Sequence, residues 1–168
     1  MLPKMRLPIE LVPKPLWGKT LSKLSRNNSA WRSHWKSIRM KELARTNDLC
    51  EICADRAEIV HEKWVYDDVN HIQKLVRFEV VCRECSNVHH LGVASVQGYG
   101  EEAIMHFREV NDLSEQNAKR LLNEALHVWS ERNNHAWTQD LTWLRENAEN
   151  YGLHEEDVFQ AQESLKLL

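Results

Sequence analysis

The chemistry this sequence advertises is concentrated in its cysteines and in the histidines near them. All four cysteines of the 168-residue chain lie in one segment, as Cys50-Glu51-Ile52-Cys53 and Cys82-Arg83-Glu84-Cys85, with 28 residues between the two pairs. Two thiolates spaced this way turn inward on one tight knuckle, and two knuckles supply the tetrahedral sulfur shell that Zn2+ prefers. Four protein ligands leave no open position for substrate or water, so this pattern alone predicts a structural zinc site at Cys50, Cys53, Cys82 and Cys85. Disulfides are the competing use of the same residues. Met1 to Glu10 carries prolines and charges in place of an apolar core, which is unlike a secretory signal and favours the metal.

The elements that must position these residues read as a strand pair followed by a helix. Glu58 to Tyr66 is rich in β-branched and aromatic residues, Asp67-Asp68-Val69-Asn70 has turn chemistry, and Leu75 to Val81 is a second strand running into Cys82. A helix beginning near Cys85 completes a ββα unit. Upstream, Leu2 to Pro15 holds all four prolines and reads as an extended arm, with Leu16, Trp17 and Gly18 as its anchor and Trp17 packing on the body. Thr20 to Leu24 predicts a short helix, and Asn28 or Ser29 caps the next, whose Trp31, Trp35, Ile38 and Leu43 fall near one face. Downstream, Glu101 to Val110 is a short helix and Ser114 caps a longer one striped by Ala118, Leu121, Leu122, Ala125, Leu126 and Trp129. His154 to Leu168 is a final acidic helix.

Charge divides the chain. Residues 1–49 carry 11 Lys or Arg against 3 Asp or Glu, whereas residues 101–168 carry 6 against 14. Arg32, Lys36, Arg39 and Lys41 form a basic helix beside the knuckles, which either lies along a phosphate backbone or pairs with the acidic C-terminal third. That acidic third would repel nucleic acid and offers a surface for a protein partner. With no long apolar run, membrane insertion is not expected, and the expected location is the cytoplasm. The expected fold is α+β, a small zinc-bound ββα unit at residues 50–96. It is embedded between a basic arm and helix (1–49) and an acidic helical region (97–168).

His61-Glu62-Lys63-Trp64-Val65-Tyr66-Asp67, the two knuckles, His90 and Gly92 resemble the HNH endonucleases of the ββα-metal type, with a treble-clef-like zinc unit. The resemblance covers about residues 13–110. It implies metal-dependent phosphodiester hydrolysis of nucleic acid, DNA in the first instance. A second, open site for Mg2+, Mn2+ or Ni2+ would lie beside the structural zinc, carried by His61, Glu62 and His90. In one alignment His61 is a ligand of the second ion, with His90, and Glu62 takes the general-base place. In another His61 is itself the base, and a purely structural His61 is a third reading.

The chain departs from that pattern after Cys85, where the family has His and this sequence has Ser86. A hydroxyl is a poor substitute for imidazole on a transition metal, so the second site is expected to be degraded. His89 lies about 100° around a helix from His90 and does not simply fill the gap, which leaves its recruitment to the site as an alternative. The Asn expected before the second knuckle is replaced by Arg77-Phe78-Glu79, and Asn70 reads as part of a turn. Two functions follow: an HNH-type endonuclease with an impaired site, or a non-cleaving zinc module that binds a protein partner as regulator or inhibitor, for example one encoded by a mobile element.

Overall fold

The computed structural model describes residues 5–168, so the part of the expected arm before Met5 lies outside the described residues. From Met5 to Pro13 the arm follows no regular element, and a 3-10 turn, Lys14–Leu16, ends it. The anchor is Leu16, buried at 2% exposure. Trp17 is 59% exposed and only donates its indole N–H back to the Val12 carbonyl, so the expectation for Trp17 is corrected.

Helix α1 (Leu21–Asn27) opens on Thr20, whose hydroxyl accepts from the Lys23 N–H. Helix α2 (Ser29–Thr46) opens on Asn28, which accepts from Trp31, and closes on Asn47 in the left-handed region. Strands β1 (Ile59–Asp67) and β2 (Ile72–Val81) form an antiparallel hairpin. The Asp67 carboxylate holds its turn by accepting from the backbone and side-chain N–H groups of Asn70, as the turn reading of Asn70 requires. Helices α3 (Arg83–His89) and α4 (Leu91–Val96) follow, then α5 (Gly100–Asn111) and α6 (Glu115–Arg132). A short strand β3 (Thr138–Asp140) adds to β2 in parallel, and α7 (Thr142–Glu146) and α8 (Glu155–Lys166) end the chain. The architecture is α+β, a small sheet of order β1-β2-β3 between helices.

The hairpin register sorts the two faces of this sheet. Val60, Glu62 and Trp64 sit opposite Val80, Phe78 and Leu75 on one face, and His61 and Lys63 sit opposite Glu79 and Arg77 on the other. The first face is covered by α2 and the C-terminal elements, for Phe78 meets Trp35, Trp143 and Tyr151 edge-on. One buried cluster runs from Leu7 to Leu165 and includes Cys50, Cys82 and Cys85, so the three expected regions share a core. The stripe on α6 packs less deeply than its periodicity implies: Ala118 is buried, while Leu126 is 43% exposed. No described helix is long and apolar enough to cross a membrane.

Candidate metal centres

The four cysteines converge, with Sγ atoms all within 4.8 Å of one another and all unbridged. A tetrahedral zinc with Zn–S of about 2.3 Å spaces its sulfurs about 3.8 Å apart. Cys53 and Cys82 are at 3.5 Å, so the cluster already has nearly the dimensions that ion needs. The first knuckle is closed by the Ala54 N–H donating to the Cys50 carbonyl, with Ala54 at φ 68°. The second is built on the start of α3: Cys82 is its N-cap, and its sulfur accepts from the Cys85 N–H at 3.4 Å. Electrostatics favour a cation here. A hydrogen bond from Cys85 brings the Cys50 thiol down to about 4, while burial pushes Cys82 up to about 12 and the Cys50 thiolate drives Cys85 higher still. Four sulfurs this close ionise together only around a positive ion. Zinc fits this all-thiolate donor set.

Outside the sulfurs, the His106 Nε2 of α5 lies 3.1 Å from the Cys85 Sγ. This is the outer contact by which a ring N–H orients and tunes a metal-bound thiolate. His106 had nothing in the sequence to distinguish it, being 21 residues from the nearest cysteine.

A second cluster forms on the sheet face opposite α2. His61 of β1 and His89 of α3 stack in parallel with ring centroids 4.4 Å apart, and His90 meets His61 edge-on at 5.3 Å. Glu10 of the arm completes the group: one ligand atom from each of Glu10, His61 and His89 lies within 4.8 Å of the others. Glu79, directly across the ladder from His61, brings its Oε2 to 3.4 Å from His89 Nε2. Lys63 and Arg77 flank them as a cross-strand pair, ion-paired to Glu10 and Glu79 respectively. Burial first, then His89 and His90, hold His61 well below the usual histidine range, so its ring is neutral and its lone pair free. Burial pushes Glu79 up, but His89 and Arg77 outweigh it, and its carboxyl sits below the usual range.

His61 and His90 are therefore brought together, while Glu62 is not with them. Successive strand residues point to opposite faces, and Glu62 lies beneath α1, where its carboxylate accepts from the Leu21 and Ser22 N–H groups at 3.1 and 2.8 Å. It closes the first turn of that helix and is out of reach of the histidines, so the general-base place expected for it is corrected to a structural one. His89 joins the cluster although it lies about 100° around the helix from His90, because residues four apart on a helix share a side and His89 is four from Cys85. The rule that places His89 away from His90 also places it beside the cysteine that points inward.

The basic helix is likewise redistributed. Arg32 and Lys36 are exposed, Arg39 donates to the Glu58 carbonyl, and Lys41 turns about 180° away from Arg32 to reach the Asn150 carbonyl and the Tyr151 ring. Lys41 is thus separated from the stripe, and α2 as a whole is on the other side of the hairpin from the histidines. The cations beside the second cluster are Lys63 and Arg77. Glu10, Glu79, Lys63 and Arg77 were invisible as site residues because strand register and the arm's path, both long-range, bring them there. The chain matches no protein-family model, no curated protein and no solved structure.

Proposed function

We propose that this is a zinc-stabilised, HNH-like protein that acts on nucleic acid, using a divalent ion held at His61 and His89 to bind, and weakly cleave, a phosphodiester. The observation that carries this reading is the approach of a His61 ring nitrogen to within 4.8 Å of one on His89, beside the four-cysteine knuckles. This sets a strand imidazole and a helix imidazole facing one another across a ββα unit. A divalent ion bound there acts as a Lewis acid on a phosphate oxygen. Lys63 and Arg77 supply positive charge to the phosphate from the same face. His90 is exposed and edge-on to His61, which makes it the ring placed to take a proton from an attacking water. Ser86 leaves the family's helix ligand missing, which limits the rate.

Zinc-loaded protein with Mn2+ or Ni2+ is expected to nick plasmid DNA slowly. His90→Ala should abolish that nicking, and Ser86→His should raise it by about tenfold or more, of the order expected for a restored metal ligand. No cleavage of DNA or RNA by wild type or Ser86→His, with both metals present, would sink the nuclease reading and leave the non-catalytic zinc module in its place.

A further inference from the structure

Three observations at the second cluster go beyond the histidine pair. His89 is 3% exposed: its Nε2 is met only by the Glu79 Oε2 at 3.4 Å, and its Nδ1 is buried with no hydrogen-bond partner. A polar group left unpaired this deep is destabilising, a cost that a bound ligand removes. Glu10, from a segment outside the ββα unit, puts a carboxylate oxygen within 4.8 Å of nitrogens on both His61 and His89. Two ligands each about 2.1 Å from one ion stand at most about 4.2 Å apart, a gap that small side-chain rotations close. The arm that brings Glu10 is also firmly tied. The Asn111 side chain accepts from the Arg6 and Leu7 N–H groups and donates to the Leu7 carbonyl, and the Trp129 indole donates to Val12.

We infer that Glu10 is the third protein ligand, with His61 and His89, of a divalent transition-metal site, and that Lys63 competes with the metal for its carboxylate. The inference rests on reading the histidine pair as metal-binding and deepens it. Two imidazoles and one carboxylate suit a first-row transition ion over Mg2+ or Ca2+, and three ligands leave positions open for phosphate and water. Glu79, against Nε2 of His89, takes the outer role of a carboxylate that orients a ligating histidine and leaves the other ring nitrogen for the ion. His90 is outside this ligand set.

The test is calorimetric titration of Ni2+ into the zinc-loaded full chain. Wild type should bind one Ni2+ per chain beyond its zinc, and Glu10→Gln should weaken that binding at least tenfold. His90→Ala should leave it within about threefold, and Lys63→Met should bind as tightly as wild type or tighter. Hydrogen exchange of residues 6–14 should slow on adding Ni2+ to wild type and be unaffected in Glu10→Gln, a signature that a merely structural Glu10–Lys63 pair would not give. No Ni2+ bound beyond the zinc in wild type, unchanged affinity in Glu10→Gln, or a larger loss in His90→Ala than in Glu10→Gln overturns the inference. Tight Ni2+ binding through Glu10 without any cleavage refutes the nuclease reading and leaves the ligand set standing. Cleavage with Glu10→Gln at wild-type affinity does the reverse.

Discussion

At the scale of single residues, the four cysteines and the three histidines are different kinds of site. Three of the four cysteines are buried in the common core, Cys53 packs against it, and the sulfurs are closed on one another, so an ion held there would serve structure. Replacing Cys85 with Ser removes one ligand and leaves a hydroxyl in a place made for a thiolate. The expected result is loss of stoichiometric zinc by metal analysis and loss of the cooperative thermal transition, because the free energy of such a site is largely folding free energy. His106→Ala should be milder: zinc retained, but released to a chelator about tenfold faster, as is typical when an outer contact to a metal ligand is removed.

At the scale of elements, Glu62 joins the hairpin to α1, and burial raises its carboxyl to about 7 despite the two backbone N–H groups it accepts from. A carboxyl whose folded value lies above its unfolded value of about 4.5 adds stability below pH 4.5 and loses it as pH climbs toward 7. The wild-type protein should therefore weaken over that interval relative to Glu62→Gln, which carries no charge at either end. Urea unfolding at pH 5 and pH 7.5 checks this: the stability difference should shift in favour of Glu62→Gln at the higher pH, by on the order of 3 kcal/mol at most. A constant difference would mean that Glu62 is ionised without penalty. The hairpin itself was legible in the sequence, since alternation and turn chemistry are local signals, and so were the caps at Ser114 and, as one of two candidates, at Asn28. The side to which each strand residue points was not fixed. An alternation is the same pattern whichever face is buried, and Glu62 beside His61 looked like a catalytic partner until the register separated them.

At the scale of the whole molecule, the arm, the sheet and the C-terminal helices make one core from Leu7 to Leu165. Asn111 ties the arm to α5, with three hydrogen bonds to the arm and one to its own helix. Asn111→Ala should cost about 1–3 kcal/mol, and it should free residues 5–13 to rapid proteolysis while the sheet stays protected. Contacts across a hundred residues leave no periodic trace, which is why the sequence predicted an arm but not its destination, and the four cysteines but not Glu10. Charge was legible as a total and misleading as a map, because the basic stripe of α2 and the histidines ended on opposite sides of the hairpin.

The helix that carries His89 is only seven residues long, too short to persist alone, and its first turn is fastened by the sulfur of Cys82. The two clusters are therefore ranked rather than parallel. An ion gripped by the thiolates would set where His89 stands, so stripping it should blind the histidine cluster without touching one of its atoms, whereas any ion lost from the histidines should leave the sulfurs as they are.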